Sequence, residues 1–291
     1  MAAPFALDSL TSHLTTAFNV RCISSESLSE MVGASALQNW SFSLMSHMRK
    51  EASSPVSNNY LKNVQKSYIT PDMRQEAVSF IIDICTYDAY PPIVCERAIR
   101  LFDHCLAHSQ VRRQAIQLLT LASISVSAKL EDDEIPSLAN LVRYTDNLYS
   151  VEELMEAEHF VLRAVDWNAY VPTAHRALSF ILGLVASTGI PETSIQKLWS
   201  LCSKFVFDTL PDYTMAQVSP CAMAVGMLNA AMFISPSDCS NKCLERLSRA
   251  GVDMDAADSV TRRLMMHHYQ GVARSAITTP VEAKRALMED L

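Results

Sequence analysis

The chain has 291 residues, enough for one or two domains with a sizeable core. Hydrophobic residues make up 49% and charged residues 19%, which excludes a disordered chain, and the net charge of −7 argues against broad binding to a nucleic-acid backbone. Glycine is scarce, at 6, and none falls between Gly33 and Gly183, so that span holds no phosphate-cradling loop and no dinucleotide fingerprint.

Residues 1–35 are rich in Ser and Thr and weakly periodic. From Leu37, apolar residues recur at Trp40, Leu44 and Met48, one helix stripe over about 36–50, which Ser53-Ser54-Pro55 breaks. Thr70-Pro71 opens the next helix, Thr as N-cap and Pro at the first helical position, and it runs to about Tyr87. Pro91-Pro92 opens another, ending near His108. A third runs from about Val111 to Leu130; its middle is apolar or small all round, the pattern of a helix enclosed by others. A short helix follows Pro136. Ser150 and Glu153 form a capping box for a helix reaching about Val165. After Val171-Pro172-Thr173 the arrangement returns, with helices at about 174–187, 192–210, 219–233, 240–249 and 255–271, the middle one again small and apolar all round. The chain therefore reads as all-α: a 1–69 extension with one helix, two five-helix units at 70–172 and 173–271, and a 272–291 tail. The repeat is one of architecture rather than of residues.

Some charges sit where periodicity places core. Glu158 has Leu154, Met155, Val161 and Leu162 as its helical neighbours, Asp103 lies between Ile99 and Leu106, and Arg74 leads a face of Phe80, Ile81 and Ile84. Buried charges need partners. Arg74 and Asp103 are suited to a bidentate bridge between helices. Lys129 and Glu158 are suited to a rim, offering a donor and an acceptor to another chain; the alternative is that all four are edge residues in water.

Other features carry no chemistry. His104 and His108 have the spacing of a zinc pair, but Cys105 stands where a metalloprotease needs Glu, and they read as surface histidines at a helix end. Eight cysteines lie outside any C-x-x-C pair, and Cys239 and Cys243 have no second ligand pair, so all read as free thiols in a reducing compartment. The start lacks the basic and long apolar regions of a secretory signal, and the longest apolar stretch, 222–234, is too short for a bilayer. The short basic runs Arg49-Lys50, Arg112-Arg113 and Arg262-Arg263 read as solvated faces. A soluble intracellular protein with no cofactor and no metal is expected.

An ordered set of motifs resembles the cyclins. I-T-P-D-M-R at 69–74, L-F-D-H-C-L at 101–106, I-Q-L at 116–118, S-A-K-L-E-D at 127–132, Y-T-D-N-L-Y at 144–149, A-E-H-F-V-L at 157–162, Trp167 and Pro172-Thr173 follow one another at the family's spacing. The positions of the family's hallmark residues are held by Arg74, Asp103, Leu118, Lys129 and Glu158. D-Y-T-M-A-Q-V-S-P-C-A-M-A-V at 212–225 fits the family's second fold.

The resemblance implies two tandem cyclin folds behind an N-terminal helix. It implies a non-catalytic activating subunit of a cyclin-dependent kinase, working in cell-cycle control in the nucleus or cytoplasm. Arg74 and Asp103 would form the internal bridge, with Leu118 beside it. Lys129 and Glu158 would bond the backbone of a kinase loop within an apolar contact of Val126, Leu130 and Leu162. The family's substrate-docking patch corresponds to Met73, Phe80 and Gln117, but Glu76 and Ala77 replace its aliphatics. Subtype is mixed: I-T-x-x-M-R fits A and B types, Y-T-D-N fits D types. Thr279-Pro280 matches a proline-directed phosphosite. The alternatives within the fold are a scaffold that binds a kinase without activating it and a transcription-related cyclin-box protein, the latter disfavoured by the acidic charge and the absence of a cysteine quartet.

Overall fold

The computed structural model describes residues 34–53, 59–66, 68–131, 137–187, 190–235, 245 and 247–276; these are helical or connecting, with no strand among them. Helix α1 is Ala34–Ser53, α2 Pro71–Tyr87, α3 Pro92–His108, α4 Ile116–Glu131, α5 Leu138–Arg143 and α6 Val151–Ala164. Then come α7 Ala174–Ala186, α8 Glu192–Thr209, the single turn α9 Tyr213–Ala216, α10 Pro220–Ile234 and α11 Met254–Ala276. The expectation of an all-helical chain holds. Cys239, Cys243 and Thr279 fall outside the described residues, and of the helix expected at 240–249 only 245 and 247–249 are described.

Local chemistry sets the helix starts. Thr70 accepts the Met73 N–H through its hydroxyl at 3.3 Å, with Pro71 beginning α2. Ser150 and Glu153 cap each other's backbone at 3.1 and 2.8 Å, opening α6. Ser219 accepts the Ala222 N–H at 3.2 Å at the head of α10. α4 starts later than Val111: a 3₁₀ turn, Arg113–Ala115, precedes it. Val111 is instead pinned in the loop, donating its N–H to Gln65 Oε1 at 3.0 Å. Gln65, wholly buried in a π-helical turn at Leu61–Gln65, also donates to the carbonyls of Leu106 and Ser109 at 2.5 and 2.6 Å. This buried amide stays satisfied while fastening the α3–α4 connection.

Two hydrophobic cores form. The first runs from Tyr60 to Val171 and is built on α4, which packs against α2, α3, α5 and α6. Leu119 to Ala128 are all buried, and the small serines let the neighbouring helices close in. Their hydroxyls are spent internally: Ser123 donates to Leu119 O and Ser127 to Val94 O, both at 2.8 Å. The second core spans Ala174 to Leu264 around α10, which packs on α7, α8 and α11.

Two departures concern the N-terminal segment. Tyr60, Leu61 and Ile69 belong to the first core, so that core begins before residue 70. Helix α1 docks on the second unit, with Leu44 in its core. The Trp40 ring lies against Gly183, where a Cβ would come within 2.7 Å of it. His47 Nε2 donates to the Thr173 carbonyl at 3.1 Å, and Glu51 accepts the Cys221 N–H at 2.7 Å.

Candidate functional site

The last turn of α4 carries Lys129 out of the core. Ala128 is fully buried, whereas the Lys129 side chain keeps 34% exposure. The capping box sets the phase of α6, turning Leu154 and Val161 inward and leaving Glu158 at the core's lip with 12% side-chain exposure. Lys129 Nζ and Glu158 Oε1 meet at 2.5 Å, and Ser125 Oγ donates to the same oxygen at 2.5 Å. The two rim charges thus hold each other in the free chain. Glu158 is largely shielded from water and Lys129 partly so, which means a partner that takes over both groups has to replace their bonds rather than leave either charge unpaired. Lys129 would then offer donors to carbonyls, and Glu158 acceptors to N–H groups.

The apolar surroundings divide. Val126 is buried in the first core, whereas Leu130 and Leu162 are half-buried. Leu162 stands one turn beyond Glu158, and its carbonyl accepts the Trp167 N–H at 2.8 Å. Asp166 and Trp167 both have positive φ, 48° and 62°, a region that bulky side chains rarely adopt. The Trp167 indole is 66% exposed and Tyr170 52%. The turn closes the C-terminus of α6 by returning N–H groups to its last carbonyls, and in doing so it leaves the indole in solvent. In the sequence Trp167 is a motif landmark; its exposure is a property of the folded turn.

Arg74 and Asp103 lie within the molecule, both with almost no exposure. Arg74 Nε donates to Asp103 Oδ1 at 2.8 Å and Nη2 to Oδ2 at 2.7 Å. Tyr60 donates its hydroxyl to Asp103 Oδ1 at 2.6 Å. Burial pulls the Arg74 pKa down, but Asp103 outweighs it and the net shift is upward. The bridge also reaches the second unit, since Arg74 Nη1 donates to the carbonyls of Leu210 and Pro211 at 3.4 and 3.1 Å. Tyr60 and these carbonyls are partners that periodicity did not supply. Leu118 is only half-buried, packed against the first core.

At the docking patch, Met73 and Phe80 are half-buried and Gln117 is exposed. Glu76 is exposed and Ala77 buried, so the acid stands in water. His104 corrects the surface reading of the histidine pair: it is 8% exposed, and burial drops its pKa to about 4, while His108 is exposed. Cys85, Cys95, Cys105, Cys202 and Cys221 are buried free thiols. His47, Glu51 and Cys221 bring one potential metal-ligand atom each within 4.8 Å, but His47 and Glu51 are already spent on the α7 and α10 backbone. No helix among the described residues is long and apolar enough to cross a membrane.

Comparison with known proteins bears on this geometry. The family described as cyclin, N-terminal domain, matches residues 42–170. A G2/mitotic-specific cyclin, C13-1, of Daucus carota is 25% identical over 66% of this chain and 55% of its own length. The G1/S-specific cyclin-D2 of Xenopus laevis is 27% identical over 60% of this chain and 58% of its own. The chain thus spans a little over half the length of these relatives, and its similarity to mitotic and G1/S types is nearly equal. Among solved structures, a viral cyclin from herpesvirus saimiri superposes with a TM-score of 0.64 at 18% identity, over 75% of this chain and 93% of that one. Residues 42–170 thus match an N-terminal cyclin box, set in a two-core helical architecture that shares its fold with the viral cyclin.

Proposed function

We propose that the chain is the regulatory, activating subunit of a cyclin-dependent protein kinase, acting in the nucleus or cytoplasm in cell-cycle control. Cyclin-family proteins are non-catalytic kinase regulators. The kinase would be held at the face of Lys129, Glu158, Leu130, Leu162 and Trp167. The observation that carries this is the Lys129–Glu158 pair at the lip of the core, beside an indole held in solvent by a positive-φ turn.

The mechanism is a population shift. A protein kinase is active when its regulatory-helix Glu is paired with its phosphate-binding Lys. A subunit that binds this placement better than the inactive one favours it, and about 5.5 kcal/mol of differential affinity turns a 1:99 population into 99:1. Lys129 and Glu158 would fix the register of the kinase loop through its backbone. The leucines and Trp167 would supply the desolvated anchor.

The test is affinity capture from lysate with a protein-kinase assay on the eluate, comparing the parent with Lys129→Ala/Glu158→Ala. The double change removes both members of a pair and strands no charge, so helical circular dichroism should not change. Kinase recovery should fall on the order of 30-fold or more, as for loss of a hydrogen-bonded interfacial charge pair. Undiminished recovery would reject this face. Capture of an inactive kinase would mark the chain as a scaffold instead.

A further inference from the structure

A second feature lies between α1, α3 and α7, where an open cleft of about 290 Å³ is lined by Ser46 and Lys50 from α1, Arg97 from α3, Arg176 from α7, and Tyr170. Its electrostatics are unbalanced. Arg97 is 2% exposed and Arg176 partly exposed, and both donate through Nη2 to one oxygen, Glu131 Oε1. The Arg97 Nε and Nη1 groups are buried with no acceptor among the described residues. Lys50 is exposed and adds a third cation. Three positive charges line the cleft against the Glu131 carboxylate, and Arg100 and Glu96 behind them carry opposite charges, so the cleft keeps a positive excess. His47 lines the same cleft but adds no charge near neutral pH, because burial lowers its pKa to about 4. A buried guanidinium with unused N–H groups is costly, and a well-placed anion relieves it.

The surroundings define the anion. The Tyr170 ring lies over the Arg97 guanidinium at 5.5 Å, leaving the edge of that fork for hydrogen bonding. Phe42, 68% exposed, lies on the α1 side of the cleft, and Tyr170 is more than half exposed. Two exposed aromatics beside a cationic pocket suit a polypeptide better than a free ion. A dianion with three acceptor oxygens matches both the excess charge and the donors. We propose that this cleft binds a phosphoryl group carried on a serine or threonine of a protein partner, with Arg97, Arg176 and Lys50 as its donors.

The site needs no kinase, so the chain alone tests it whether or not the proposed function holds. The probes are inorganic phosphate, a degenerate phosphothreonine peptide pool, the same pool unphosphorylated, and one with Asp at the phosphorylated position. Inorganic phosphate should raise the melting temperature saturably above chloride at matched ionic strength. The phosphopeptide pool should bind, and Lys50→Ala should weaken both effects about tenfold, as expected for one charge-assisted hydrogen bond. Lys50 is exposed, so its loss leaves the fold intact; Arg97→Lys, which keeps the charge but loses the fork, should weaken binding at least as much. An equal phosphate response in parent and variants would mark a bulk salt effect and overturn the site. Equal binding of the Asp pool would overturn the choice of a phosphoryl group.

Discussion

Replacing Arg74 by Ala removes the two bonds to Asp103, the contact to the Tyr60 hydroxyl, and the donor to the Leu210 and Pro211 carbonyls. Asp103, 1% exposed, is left as a carboxylate with the Tyr60 hydroxyl as its remaining partner among these groups. Breaking a buried pair by deleting one member costs about 3–5 kcal/mol. At about 2–4 °C per kcal/mol for a chain of this size class, the melting temperature should fall by roughly 6–20 °C. Thermal melts followed by circular dichroism at pH 7 read this directly. The companion variant Arg74→Met/Asp103→Leu removes both charges, and it should recover much of the loss because no ion is stranded. A single variant melting within about 2 °C of the parent would refute the reasoning. A double variant no more stable than the single would show that the penalty does not come from the isolated carboxylate.

Gly226→Ala should destabilise by about 1–3 kcal/mol through overpacking. Its Cβ would lie 2.6 Å from the Ala257 carbonyl oxygen, a backbone atom that cannot rotate away, and an unchanged melt would mean that α11 shifts freely. Glu96→Gln should cost about 1–2 kcal/mol, because one carboxylate accepts the Ala174 and His175 N–H groups at 2.5 and 2.9 Å. Hydrogen exchange at those two amides should speed up, and unchanged protection would discount the cap. Stability should fall between pH 7 and pH 5. Burial lowers the pKa of His47, His104 and His175 to about 4, so the unfolded chain takes up protons first as pH drops below about 6.5. Each histidine contributes up to about 3 kcal/mol of stability, fully present above pH 6.5 and lost as pH falls toward 4. The raised carboxyls of Glu51, Glu96 and Asp208 act in the opposite sense. Urea titrations across this range should show the decline, with a shallower slope for His104→Leu; a flat profile in the parent contradicts the argument.

What the sequence discloses depends on whether a local rule decides the question. Helix α4 is legible because a helix that is apolar or small on every side must be enclosed, and four helices enclose it. The starts at Thr70, Ser150 and Ser219 are legible because an N-cap is chemistry within three residues. The docking of α1 on the second unit is not, since the stripe at Leu44 and Met48 says that one face is covered but not by what. Tyr60 and Gln65 are invisible for a related reason. Both sit in a polar stretch without periodicity, and each is justified by atoms more than forty positions away. At the rim, spacing isolates Lys129 and Glu158 as unusual, but only coordinates show that they bond each other.

Helix α3 carries the largest share of what the sequence hides, and it also explains how the rim is held in place. Glu96, Arg97, Arg100 and Asp103 recur at helical spacing, a pattern indistinguishable from a solvated charged stripe. In the folded chain they form the seam between the two units. Glu96 caps α7, and Arg97 reaches Glu131 at the end of α4. Arg100 donates to the carbonyls of Pro172 and Ala216, and Asp103 holds Arg74, which reaches Pro211. A greasy interface of the same area tolerates sliding, whereas bonds to named carbonyls and amides do not. The seam therefore fixes orientation more than it adds stability. It clamps α4 at Glu131, two residues beyond Lys129, so the angle at which that lysine leaves the core is set by both units together. A chain carrying the first unit alone would keep Lys129 and Glu158 but lose the Arg176 contact that steadies Glu131 from the other side.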